Sequence, residues 1–140
     1  MIEFVKEIAY YWRVVKGKPD FYIVPQNGER ILEYTIDGSY LRTIFGIGVE
    51  DIWYNGLTPN PPEEINERMK YLDIIRNTSK LVFSVEYIDD ESRYSGENKK
   101  RIDDYLKKLL QRVIARSDRE LDELNIIEGI QPSSVKFNFR

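Results

Sequence analysis

The sequence predicts a parallel α/β fold, and three observations carry that reading. Short apolar runs alternate with amphipathic segments along most of the chain. The runs are continuous rather than alternating, as strands covered on both faces require. The three clearest runs all end in polar residues. Strands and helices in alternation imply a parallel sheet joined by right-handed crossovers.

Each element has its own justification. Residues 2 to 16 read as a helix, because Val5, Ile8, Ala9, Trp12 and Val15 recur at three- and four-residue steps, and Gly17 and Pro19 end it. Phe21-Tyr22-Ile23-Val24 is the first buried strand, stopped by Pro25-Gln26-Asn27-Gly28. Glu29 to Tyr34 is a short helix, and Ser39 to Thr43 adds another helical turn after Asp37-Gly38. Ile44 to Val49 is the second strand and runs into Glu50-Asp51; its two glycines suggest a bend or a close backbone approach. Asn55 to Pro62 is a loop, and Pro61-Pro62-Glu63-Glu64 opens a helix that continues to about Asn77. Lys80 to Val85 is the third strand, ending in Glu86-Tyr87. Ile88 to Glu97 is an acidic surface loop, and Asn98 to about Ile114 is a helix with Ile102, Tyr105, Leu109 and Val113 on its apolar face. Val113-Ile114-Ala115 continues that helix or forms a stunted fourth strand. Ser117 to Leu124 suggests a capped short helix, and residues 132–140 form a tail to a domain spanning 1–131.

Composition narrows the chemistry. The 140 residues are 41% hydrophobic and 32% charged, an ordinary globular balance. The apolar runs are too short to span a bilayer, and the acid-bearing N-terminus does not read as a signal peptide. A net charge of -3 argues against nucleic acid as a partner. There is no Cys and no His, which removes disulfides, thiol nucleophiles and the usual zinc ligands. Acid–base work near neutral pH then falls to carboxylates, helped by Tyr or Lys. No phosphate-binding glycine loop and no nucleophile elbow occur, and the residues call for neither cofactor nor metal.

The candidate site follows from the strand ends. In parallel α/β folds, ligands bind outside the carboxyl ends of the strands. Those ends deliver Gln26 and Asn27, then Glu50 and Asp51, then Glu86 and Tyr87. Glu50 is the leading catalytic candidate, because apolar residues flank it on both sides where a merely solvated carboxylate is not expected. Two carboxylates about a scissile bond suffice for glycoside hydrolysis, one protonating the leaving oxygen and the other attacking the sugar or activating water.

The segments Phe21 to Glu29, Gly46 to Tyr54 and Val85-Glu86-Tyr87, with the opening helix Met1 to Ala9, resemble the second half of the endo-polygalactosaminidase-like glycoside hydrolases. The resemblance runs to about residue 131 and implies the C-terminal half of a TIM (β/α)8 barrel, a parallel (β/α) half-barrel. It also implies extracellular endo-hydrolysis of α-linked galactosamine polysaccharide by a carboxylate pair. It places one acid of the pair at Glu50 and the other, an Asp, upstream of Met1. It sets Gln26, Asn27 and Glu86 on the rim of the cleft, and the strand ends add Asp51 and Tyr87 as further substrate-binding candidates. A half-barrel would expose two sheet edges and an apolar inner face, so the expected partner is a missing N-terminal half or a second copy. The isolated chain is expected to be inactive. Two alternatives remain beside this reading: a non-catalytic carbohydrate-binding or assembly module acting as a dimer, and an unrelated doubly wound α/β domain.

Overall fold

The computed structural model describes residues 1–35, 37–90 and 96–108. Helix α1 (Ile2–Tyr10) widens into a π-helical segment at Tyr11–Val15, and Gly17 at φ +63° turns the chain out of it. A 3-10 helix covers Glu29–Tyr34, and α2 covers Ser39–Thr43. Strand β1 is Gly46–Glu50, followed by β2 (Tyr54–Asn55), β3 (Thr58–Pro59), α3 (Pro62–Asn77), β4 (Leu81–Val85) and α4 (Gly96–Lys108).

Strands β1 and β4 pair with each other. The Leu81 N–H donates to the Phe45 carbonyl at the start of the pair, and the Asp51 N–H donates to the Val85 carbonyl at its end. Both chains therefore advance in the same direction, and the pair is parallel. The glycine at position 46 is needed for it. A Cβ there would lie 2.5 Å from the Leu81 carbonyl oxygen and 2.8 Å from the Leu81 Cβ.

The expected half-barrel, the C-terminal half of a TIM (β/α)8 barrel, is not what the chain forms. Among the described residues the parallel sheet has two strands, and the second sheet is the antiparallel pair β2–β3. The reason is clearest at Phe21–Val24, which was expected to be a buried strand. It runs extended beside β1, and the Ile23 and Pro25 carbonyls accept from the Phe45 and Gly48 N–H groups at 2.8 Å each. Those acceptors are two residues apart while their donors are three apart, so the register slips by one residue. Pro25 has no N–H to give, and only the Gln26–Gly48 bridge forms. Tyr22 and Val24 are each 43% exposed, so one face of this segment is solvated rather than buried. The stunted strand at Val113 to Ala115, the short helix to Leu124 and the tail lie outside the described residues.

The hairpin β2–β3 was not expected. It pairs Tyr54 with Pro59 and Asn55 with Thr58. Gly56, the first of its two turn residues, has φ +60°, and Leu57 does not share that sign. That is the pattern of a type II′ turn, whose twist suits a two-residue hairpin.

The chain divides into two compact units, Met1–Val49 with Pro62–Val82, and Glu50–Pro61 with Phe83 onward. In the first, Ala9, Tyr40, Ile44, Ile47, Val49, Leu72, Ile75 and Leu81 are buried. Each large aliphatic side chain so buried contributes about 1.5–3 kcal/mol. Arg13 donates to the Phe21 and Thr43 carbonyls at 2.9 Å each, tying the end of the π-helical segment to two later segments. Glu29 is 4% exposed and takes a 2.5 Å hydrogen bond from Arg68 Nε of α3. The second unit is built on Tyr54, Ile88, Ile102 and Tyr105, with Trp53 packed against them. The Trp53 and Tyr105 rings lie 5.6 Å apart in a tilted arrangement.

Candidate functional site

Strand β1 carries Glu50 to its carboxyl end, and the chain then turns sharply. Asp51 adopts φ +50°, a left-handed conformation that Asp tolerates better than most residues. Strand β4 ends at Val85, and Glu86 and Tyr87 follow. The two segments meet through side chains. The Tyr87 hydroxyl donates to Glu50 Oε2 at 3.0 Å, and both residues are half-buried.

Glu86 behaves differently. It is completely buried. Its Oε1 accepts the N–H groups of Ile52 (2.7 Å) and Trp53 (3.2 Å), and its Oε2 accepts that of Tyr54 (3.1 Å). Three successive main-chain donors thus converge on one carboxyl group. Burial pushes that carboxyl up to about 7, while the three amide hydrogen bonds act in the opposite direction and the neighbouring Asp51 charge adds to the rise. The same surroundings hold the Tyr54 and Tyr105 hydroxyls above the ordinary tyrosine range, chiefly by burial.

Asn60 completes the turn, and sequence reasoning missed it. Its Nδ2 donates to the carbonyls of Asp51 (2.9 Å) and Ile52 (3.0 Å), and its own N–H donates to the Trp53 carbonyl at 2.8 Å. From Asp51 to Trp53 every main-chain N–H and C=O therefore has a partner, the Asp51 N–H being held by Val85. Burial of such a loop requires this pairing of its main-chain polar groups. The one available signal was Asn60 itself, a polar residue among three prolines.

The structure thus gathers Glu50, Asp51, Glu86 and Tyr87 in the second unit. Gln26 and Asn27 belong to the first unit and are exposed. Asn27 has φ +55° and donates its N–H to the Gly48 carbonyl at 2.7 Å, the behaviour of a turn residue. The Gln26 amide oxygen packs over Gly48, where it occupies the space a Cβ would take. A cavity of about 550 Å³ opens in the first unit between α1 and α2, with Glu3, Lys6, Tyr34 and Asp37 in its wall. None of the predicted residues lines it. Among the described residues no group of three or more acidic side chains is placed to hold a metal ion, and no helix is long and apolar enough to cross a membrane.

No family model matches the chain. It is 46% identical over 129 residues to an uncharacterized protein of Methanocaldococcus jannaschii, covering 89% of this chain and 37% of that one. It is also 46% identical over 136 residues to an uncharacterized protein of Thermotoga maritima, covering 94% of this chain and 41% of that one. The chain therefore spans about two-fifths of the length of these relatives.

Proposed function

We propose that Glu50 is one carboxylate of a glycoside-hydrolase-type site and that the site takes an amino-sugar polysaccharide, α-linked polygalactosamine being the leading candidate. The observation that carries this reading is the Tyr87–Glu50 hydrogen bond of 3.0 Å. It sits just past the carboxyl ends of two paired parallel strands, where such sheets bind ligands. A carboxylate held in this way matches either acid of a glycosidase pair, and it also suits the ammonium group of an amino sugar. The substrate class comes from the sequence resemblance. A polymer of this kind is met outside the cell, which is the proposed place of action.

Hydrolysis needs two carboxylates, and one is assigned here. In proteins the length of the two relatives, the second is supplied from the part that this chain does not span. The 140-residue chain then binds the sugar without cleaving it.

Calorimetric titration with a galactosamine oligosaccharide tests the reading. Glu50→Gln and Tyr87→Phe are expected to weaken binding by about 10-fold each, the loss of one hydrogen bond to a charged group. Absence of binding by the wild-type chain, or unchanged affinity in Glu50→Gln, would sink the proposal. Binding by the chain with no cleavage by a longer relative would favour a non-catalytic carbohydrate-binding role.

A further inference from the structure

Among the described residues Glu86 is the most deeply buried carboxyl of the second unit, and a sugar cannot reach it: it is completely buried, with both oxygens already accepting hydrogen bonds. What it touches is the main chain that leaves Glu50. Ile52, the first residue it grips, is two positions beyond Glu50, and Asp51 between them is held in a left-handed turn. Gathering three consecutive N–H groups onto one acceptor requires the backbone to curl around that acceptor, which defines the direction in which the chain departs from β1. The next residue after Glu86 is Tyr87, whose hydroxyl grips the Glu50 carboxylate itself. Two adjacent residues thus fasten one site twice, Glu86 through the backbone and Tyr87 through the side chain.

We propose that Glu86 is a positioning residue for Glu50: its carboxylate fixes the turn after β1, and that turn sets whether the Tyr87 hydroxyl and the Glu50 carboxylate meet. The importance of Glu50 to function rests on the reading given above; the positioning itself does not. The titratable groups around Glu86 are Asp51, whose charge acts on it in the turn, and Tyr54 in the hairpin and Tyr105 of α4, on which the Glu86 charge acts in turn. Asp51 opposes its ionisation, and the three amide donors favour it. A neutral carboxyl has one good acceptor oxygen instead of two, so protonation releases part of the grip on residues 52–54.

The test uses the isotopically labelled 140-residue chain in solution and needs no sugar. The amide signals of Ile52, Trp53 and Tyr54 are followed with pH, together with the ring carbon that bears the Tyr87 hydroxyl. The three amides should titrate with one shared midpoint near 7. The Tyr87 signal should show a step at that midpoint, and Glu50→Gln should shrink the step by more than half, because the partner it reports on has gone. Glu86→Gln should abolish the shared midpoint and reduce the response of Tyr87 to Glu50→Gln. A Tyr87 step of the same size in Glu50→Gln, or no step at all, would overturn the proposal, since Glu86 would then act on Tyr87 only through its field or not act on it. The wild-type and Glu50→Gln titrations leave Glu86 intact, so the result stands even if Glu86 variants do not fold. Sugar titration of the same samples separates the two readings: coupling without sugar binding keeps the positioning role and removes the glycosidase site.

Discussion

Glu86 shows how one residue changes meaning when its surroundings are known. As a polar residue after an apolar run it resembles Glu50, and the sequence ranks it only as a second candidate at the same rim. Burial separates them. A carboxyl raised from its ordinary value of about 4.5 to about 7 holds a proton in the folded chain that the unfolded chain has already released across that interval. Its contribution to stability is therefore fully present below about 4.5 and is lost as pH rises through 7. The full difference is on the order of 3 kcal/mol. Thermal unfolding at pH 5 and pH 8 should show the loss at the higher pH, and Glu86→Gln should remove that part of the slope. A slope unchanged by Glu86→Gln would assign it to other groups. Exposed Asp37 and Glu97, whose carboxyls are lowered by neighbouring hydrogen bonds, contribute in the opposite direction, but only below their ordinary values of 3.8 and 4.5, outside this interval. The comparison of wild type with variant, rather than the raw slope, is the measurement that decides.

At the scale of elements, two contacts control how the pieces fit. The first is Gly46, where β1 passes against Leu81 of β4. Gly46→Ala would force its Cβ against main-chain atoms that have no room to move, and urea unfolding should show a loss of about 2 kcal/mol or more. Gly48→Ala should cost less, because the atom in its way is the flexible end of Gln26. Equal losses at the two positions would contradict this account. The second contact joins the 3-10 helix to α3. Glu29 is buried with Arg68 as its partner, so Arg68→Ala leaves a carboxylate without its compensating charge. Removing one partner of a buried pair costs about 3–5 kcal/mol. Here Arg68 keeps 19% of its side chain exposed, which places the expected loss toward the lower end. Denaturant unfolding of Arg68→Ala and of the double variant Arg68→Ala with Glu29→Gln measures it; the second change should recover part of the loss. Most elements were legible from sequence, because helix periodicity, proline starts and apolar runs are local signals. Phe21–Val24 misled for an equally local reason. Its composition is that of a strand, but Pro25 and a one-residue slip in register leave it as an extended segment with a solvated face.

For the whole molecule, the expectation of a half-barrel fails on strand number, since the described residues place two strands in the parallel sheet. The place proposed for the site does not depend on a barrel. It depends on where two parallel strands end and on what the side chains there touch, while the proposed substrate class rests on the sequence resemblance. A reducing-sugar assay of the purified chain on polygalactosamine should show no cleavage, because a lone assigned carboxylate cannot act as both acid and base or nucleophile in one turnover. The longer relatives should cleave it, and the substitution corresponding to Glu50→Gln should lower their rate by at least about 100-fold, within the range for loss of an acid–base group. Cleavage by the 140-residue chain alone would mean that its second acid is already present in it.

By itself the sequence determined which side chains these 140 residues can offer. With no His and no Cys among them, acid–base work would fall to carboxylates, helped by Tyr or Lys, and alternation of apolar runs with helices puts several of them at strand ends. Glu50 and Tyr87 were legible as candidates for that reason. Their meeting was not, since they lie 37 positions apart and only the parallel pairing of β1 with β4 brings them together. The tertiary structure alone decided that Glu86 turns inward to hold the backbone, that Asn60 completes that turn, and that Phe21–Val24 stays out of the sheet. Each of these turns on hydrogen bonds to residues other than sequence neighbours, or on a register that composition does not record. The physical cause is common to all three. Buried polar groups must find partners, and which partners are in reach is a property of the fold.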